Sequence, residues 1–271
     1  MEPVSRSQPT AAAAPTAVPC ISINDVGMVY RSRGKPDFLA VRNISLQIQE
    51  QELFALVGPT GCGKSTLLLN ISGLLNPTRG QVSIRGGSVQ AAKEANLFGF
   101  IFQDPVLLPW RTAVENVRLP LEVTGAYNGT QEARCLELLD FVGLKKFRNH
   151  YPHELSGGMR QRVSIVRALV HNPSILLLDE PFSSLDEITK RRLHVEFLDL
   201  WAHERKTGVL ITHDLYEAVF MADRVAVMTP NPGEIRAVID IDLPRPRTTE
   251  MRDSEEFIRL ARHVREVLGE F

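Results

Sequence analysis

The chain has 271 residues, 44% of them hydrophobic, and a formal net charge of −1, which suits one large domain with a sizeable core and gives no drive toward a polyanion such as bulk nucleic acid. Cys20, Cys62 and Cys135 lie far apart without Cys-x-x-Cys spacing, so neither a disulfide framework nor a zinc site is expected, and a reducing cytosol is the natural compartment. No run approaches the roughly 18–20 apolar residues needed to cross a bilayer, so work at a membrane requires another chain to span it.

The first 20 residues are rich in Ala, Pro and Ser, lack the basic-then-apolar order of a secretion signal, and read as a disordered tail. From 21 to 84 the pattern is strand-like in "ISINDVGMVY", "LAVRNISLQI" and "QVSI"; "ELFALVG" leads into a glycine loop, and "KSTLLLNISGLL" reads as a helix. "LFGFIFQD" predicts a buried strand, residues 105–171 a mostly helical insertion, and "SILLLD" the strand that ends it. The helix "ITKRRLHVEFLDLWAHERK", the strand "GVLITHD", the short helix "LYEAVFMAD" and a strand-rich stretch to Leu243 follow. Residues 244–271 predict a Pro/Arg linker and a charged, peripheral helix. Buried strands alternating with helices imply an α/β fold with a mainly parallel sheet covered on both faces.

Three stretches carry chemistry. "GPTGCGKST", Gly58 to Thr66, matches G-x-x-x-x-G-K-[ST] between a strand and a helix. Small residues at Gly58, Pro59, Thr60, Gly61, Cys62 and Gly63 let backbone N–H groups turn inward as an anion cradle at the positive end of a helix. Lys64 is expected to reach the β- and γ-phosphates of a nucleoside triphosphate, Ser65 to ligate Mg²⁺ and Thr66 to donate to the α-phosphate. Because Cys62 lies inside the loop, a thiol reagent is expected to block nucleotide binding.

"ILLLDE" places Asp179 at the carboxyl edge of a buried strand, where it can hold the metal, and Glu180 next to it, aimed at the attacking water as general base or positioner. Alone, such a pair often only caps the next segment; the upstream loop supplies the context. In "LSGGMRQRVSIVRALV", apolar Met159, Val163 and Val166 recur at helical spacing, so Ser156, Gly157 and Gly158 open a helix; on its own that start could be only an N-cap, and its position about 20 residues before the metal-binding strand favours a second anion site.

These residues resemble the ATP-binding cassette (ABC) ATPases, over about 21–243. Leu155–Gly158 resembles the family signature, "ILLLDEP" and "SSLD" its Walker B and D-loop, Gln103 in "IFQDP" its Q-loop glutamine, His213 in "ITHD" its switch histidine, and Tyr30 the aromatic that stacks on adenine. Met159 departs from the commonest signature, which has Gln, but similar importer ATPases often carry Met there. The resemblance implies a P-loop NTPase of ABC type, with a mainly parallel core, an antiparallel β portion and an inserted helical subdomain. It also implies a head-to-tail dimer with ATP between the phosphate loop of one subunit and Ser156, Gly157 and Gly158 of the other. In that picture Asp186 touches the opposite loop, His213 bonds the γ-phosphate and keeps water and Glu180 in line, and Gln103 senses Mg²⁺ and nucleotide. Asp179, Ser65 and Gln103 hold the metal.

"DPVLLPWRTAVENVRLPL" follows Gln103 directly; in transporter members this region receives a short helix of the membrane subunit, although Leu107, Leu108 and Trp110 read equally as core of the helical subdomain. "LLPW", "LSGGMRQRV", "NPGEI" and "IDLPRPR" resemble the nitrate, sulfonate and taurine importer branch. That branch implies two ATPases, a copy or a paralogue, with two transmembrane permease subunits, fed by an extracytoplasmic solute-binding protein. The ATPase would then sit on the cytoplasmic face of the inner membrane. The rival readings are a non-transport ABC ATPase of DNA repair or the ribosome, and an exporter. One cassette, no long heptad run and no fused membrane helices argue against them.

Overall fold

The computed structural model describes residues 18–31, 34 and 36–269, so the expected tail lies outside the described residues up to position 17. Its end does not: Cys20 is fully buried at the start of the first strand.

The first sheet has four antiparallel strands in the order β2-β1-β4-β5: β1 (Ile21–Tyr30), β2 (Phe38–Ile48), β4 (Arg79–Ile84) and β5 (Gly87–Ser88). The second has six, in the order β10-β9-β3-β8-β7-β6: β3 (Leu53–Val57), β6 (Phe98–Ile101), β7 (Ile175–Asp179), β8 (Thr207–Thr212), β9 (Arg224–Thr229) and β10 (Glu234–Asp240). Only β10 runs antiparallel there. All five residues of β3 and all six of β8 are buried, as continuous apolar strands covered on both faces must be.

Helices α1 (Lys64–Ile71) and α2 (Val89–Glu94) lie early in the chain. Helices α3 (Ala113–Val123), α4 (Gly129–Phe141) and α5 (Gly157–Leu169) pack on one another between β6 and β7. A capping box, Thr112 with Glu115, starts α3. Buried Asn116 then donates to the carbonyls of Leu108 (3.2 Å), Arg111 (3.0 Å) and Thr112 (3.0 Å) and accepts from Leu108 N–H (2.7 Å). The chain closes with α6 (Glu187–Glu204), α7 (Leu215–Met221) and α8 (Glu255–Leu268).

The last helix is not peripheral. Phe257, Leu260, Ala261 and Val264 form a stripe buried in the main core against α7, β9 and β10. Burial of each large side chain is worth about 1.5–3 kcal/mol, enough to hold a helix whose other face is charged. The Pro/Arg stretch before it is bound as well: buried Arg247 donates to the Val219, Phe220 and Ala222 carbonyls at the end of α7 at 3.2, 2.8 and 2.8 Å. Among the described residues, no helix is long and apolar enough to cross a membrane.

Candidate functional site

Register decides what meets at the sheet edge. β8 lies between β3 and β7, pairing Val57 with Thr212 and Asp179 with Ile211, so the glycine loop, His213 and the Asp179-Glu180 pair leave the sheet side by side at the carboxyl ends of three parallel strands.

The loop from Gly58 enters α1 through Gly63, whose φ of 99° is a left-handed conformation open to glycine. A Cβ there would lie 2.5 Å from Val41 Cγ1 and 3.0 Å from the Ala40 carbonyl, because β2 lies directly against the loop. The other wall is the β9–β10 turn, where a Cβ on Gly233 would come 2.1 Å from the Cys62 carbonyl. Lys64 is buried, with Nζ donating to the Gly58 and Pro59 carbonyls at 2.7 and 3.1 Å. Its charge therefore sits inside the cradle.

Cys62 corrects one expectation. Its side chain is 1% exposed and packs in the hydrophobic cluster beneath the loop, and burial pushes the thiol pKa up. Only its backbone is placed to contribute to the cradle, and the thiol is shielded from alkylation.

Ser65 Oγ donates to Asp179 Oδ1 at 3.2 Å. Burial raises the Asp179 pKa and neighbouring Glu180 adds to the rise, while Ser65 and Lys64 pull it back. A hydroxyl and a carboxylate stripped of water suit a hard cation that shares its remaining ligands with phosphate, so this oxygen pair fits Mg²⁺. Glu180 adopts φ 47°, its N–H bonded to the Ile211 carbonyl at 2.9 Å, and this turn swings the carboxylate toward β8. Its Oε2 lies 2.9 Å from His213 Nδ1.

A cavity of about 200 Å³ over the loop is lined by Tyr30, Phe38, Ala40, Thr60, Gly61, Gly63, Lys64, Ser65, Thr66 and Glu180. The Tyr30 hydroxyl lies 3.2 Å from Thr66 Oγ1. Phe38, paired with Tyr30 across β1 and β2 and 52% exposed, is a second aromatic that sequence reasoning passed over. A larger cavity, about 750 Å³, opens beside Asn96, Asn172 and Lys206 at the opposite edge of the sheet and shares no residue with the loop; size does not mark the site here.

Ten expected residues are absent from the lining of the loop cavity: Gly58, Pro59, Cys62, Asp179 and His213 beside it, and Gln103, Ser156, Gly157, Gly158 and Asp186. Ser156, Gly157 and Gly158 open α5, where Ser156 Oγ accepts from Met159 N–H at 3.3 Å. Asp186 caps α6 by accepting from Thr189 N–H at 3.0 Å, and that bond holds its carboxyl below the usual range. The two helix starts touch: a Cβ on Gly157 would lie 3.6 Å from Leu185, and one on Gly158 2.9 Å from Thr189. Gln103 is exposed just beyond β6, on the same sheet edge as Asp179.

Beside Gln103 runs an apolar groove of about 430 Å³ lined by Phe98, Phe100, Phe102, Leu119, Pro120 and Val123 among others, with Phe100 and Phe102 stacked at 4.5 Å. Arg167 holds the neighbouring loop by donating to the Pro105 and Val106 carbonyls at 2.7 and 2.8 Å. Leu107 packs on the core and Leu108 is half-buried, whereas Trp110 is 71% exposed.

Residues 41–183 match the family model described as "ABC transporter". An ABC transporter ATP-binding protein of Methanocaldococcus jannaschii is 42% identical over 229 residues, 84% of each chain. The aliphatic sulfonates import ATP-binding protein of Bacillus cereus is 38% identical, spanning 90% of this chain and 94% of that one. The taurine import ATP-binding protein of Rhizobium johnstonii is 37% identical, spanning 92% and 96%. A dimeric ATP-binding cassette solved in a post-hydrolysis state with ADP and phosphate superposes with a TM-score of 0.71 at 34% identity, covering 83% of this chain and all of that one.

Proposed function

The chain belongs to the ABC transporter family of ATP-binding ATPases, and from that premise we propose that it is the energy-coupling subunit of a membrane importer. It works as a head-to-tail dimer on permease subunits at the cytoplasmic face of the inner membrane. The imported solute is a small anion of the nitrate, sulfonate or taurine kind, delivered by an extracytoplasmic solute-binding protein. The observation that carries the dimer is the split site: one chain sets Tyr30, Lys64, Ser65, Thr66 and Glu180 around one cavity, while Ser156–Gly158 and Asp186 stand together at the starts of α5 and α6, outside it, with Ser156 and Asp186 exposed and the two glycines half-buried. A second copy brings those helix starts to the loop, so that two ATP molecules are each held between subunits.

The residues take distinct parts. Tyr30 and Phe38 offer aromatic faces for the base. The loop N–H groups and Lys64 hold the phosphates, and Ser65 and Asp179 would hold Mg²⁺, which would supply neutralisation of phosphate charge. Glu180 accepts a proton from the attacking water, and His213, hydrogen-bonded to it, fixes the direction of its carboxylate. The stretch that follows Gln103, with Trp110 exposed on it, accepts a short helix of the permease.

Glu180→Gln removes the base without changing shape. The variant is expected to bind ATP and elute as a dimer in size-exclusion chromatography with ATP, turning over at least about a hundredfold more slowly. A monomer under saturating ATP contradicts the split-site reading.

A further inference from the structure

Glu217 is a buried carboxyl that the hydrolysis chemistry above does not use. It lies in the first turn of α7, 2% exposed, and its Oε2 accepts from Thr212 Oγ1 at 3.2 Å. The same hydroxyl oxygen accepts from Asp214 N–H at 3.0 Å. Thr212 and Asp214 flank His213, so this one side chain braces the backbone on both sides of the histidine.

Behind it stands His194 of α6, 1% exposed, with Nε2 3.8 Å from Glu217 Oε1 and Nδ1 2.7 Å from the Arg252 guanidinium. A guanidinium only donates. His194 Nδ1 must therefore accept, which leaves the proton of the neutral ring on Nε2, facing Glu217 Oε1 from beyond hydrogen-bond reach, with both atoms buried and without a hydrogen-bond partner among the described residues. The imidazole meets Phe182 edge-on at 4.7 Å between centroids, and Phe182 lies two residues after Glu180. Arg252 comes from the C-terminal segment and also covers the Phe220 ring at 3.8 Å. With Arg247 bonded to the end of α7, that segment holds the C-terminal part of the helix after His213 and, through His194, the α6 ring behind its first turn.

A carboxyl taken out of water without a full set of partners costs stability that an apolar side chain of similar size would not. Its place here is explained by geometry: the bond to Thr212, with the Arg252-bonded His194 ring packed behind the carboxyl, admits one arrangement where an apolar side chain admits several. We propose that Glu217, His194 and Arg252 form a positioning unit that fixes Thr212 and thereby sets the His213 imidazole against Glu180, making the C-terminal segment part of the hydrolytic site. The proposal rests on the reading of Glu180 and His213 as the pair that directs water.

The test uses the full chain labelled with ¹³C-histidine. The His213 ring resonance is identified by its loss in His213→Ala and followed without nucleotide in Arg252→Met, Glu217→Leu, Arg252→Lys and Glu217→Gln. ATP affinity and kcat are measured on the same samples. In Arg252→Met and Glu217→Leu the His213 resonance shifts, kcat falls about tenfold or more, and ATP affinity stays within about twofold, as expected for a misplaced directing group. Arg252→Lys and Glu217→Gln, which keep the polar contacts, restore the resonance and part of the turnover.

An unmoved His213 resonance with unchanged kcat in either folded apolar variant overturns the proposal. If one apolar variant fails to melt cooperatively, the other carries the test, since the two replacements lie on different elements. A shifted resonance in a protein whose wild type does not hydrolyse ATP supports the positioning unit and contradicts the ATPase reading instead.

Discussion

Glu217→Gln should change how stability depends on pH. Burial raises the Glu217 pKa from 4.5 to about 8, with Asp214 adding to the rise and Lys190, Thr212 and Arg252 opposing it. Burial lowers the His194 pKa from 6.5 to about 3, helped by Arg252 and Lys190 and opposed by Asp214. For Glu217 the folded value is the higher one, so its contribution is complete below about pH 4.5 and is lost as pH rises through about 8. For His194 the folded value is the lower one, so stability is lost as pH falls from 6.5 toward about 3. The two slopes oppose each other between 4.5 and 6.5. Above 6.5 Glu217 acts alone over about 1.5 pH units, and at about 1.4 kcal/mol per unit the fold loses about 2 kcal/mol by pH 8. With a urea m-value of about 2–3 kcal/mol/M, the unfolding midpoint falls by about 0.7–1 M. Glu217→Gln has no proton to lose there, so its midpoint should hold between pH 6.5 and 8 while the wild-type midpoint falls. Parallel pH profiles for the two proteins would refute the burial-driven shift at Glu217.

Gly63→Ala must place a Cβ 2.5 Å from Val41 Cγ1 at a positive φ. Conformational strain of about 1–2 kcal/mol and overpacking of about 1–3 kcal/mol together predict a loss of about 2–5 kcal/mol by urea unfolding, and loss of ATP binding by equilibrium titration. Cys62, buried beneath the loop, should react with iodoacetamide in the native protein no faster than buried Cys135, and ATP should not alter its rate; fast, ATP-protected alkylation by mass spectrometry would contradict its placement.

The parts of the site written in short backbone signatures were legible. A loop of small residues ending in Lys64, an apolar strand ending in Asp179-Glu180 and a Ser-Gly-Gly helix start each declare their conformation within about ten residues, because the chemistry needs main-chain N–H groups and strand ends. Where partners are far apart in sequence, local pattern fell short. Phe38 joins Tyr30 only through the β1–β2 register, and Gly233 meets Cys62 only through the β9–β10 turn. The direction of the Cys62 side chain depends on which residues of the loop turn inward, which the motif leaves unspecified. The docking of α8 was readable: Phe257, Leu260, Ala261 and Val264 stand at i, i+3, i+4 and i+7, and the charges between them obscured the stripe. Nothing near Glu217 in sequence announces His194 or Arg252.

Whether this ATPase drives a membrane importer is tested most directly by what the ATP-closed form holds. Tagged Glu180→Gln protein is expressed in its native cells, membranes are solubilised gently with ATP present, and co-purifying proteins are identified by mass spectrometry. A multi-spanning permease, with or without a solute-binding protein, is the predicted result. Recovery of ribosomes, nucleic acid or soluble proteins alone would contradict the transport function while leaving the ATPase chemistry in place.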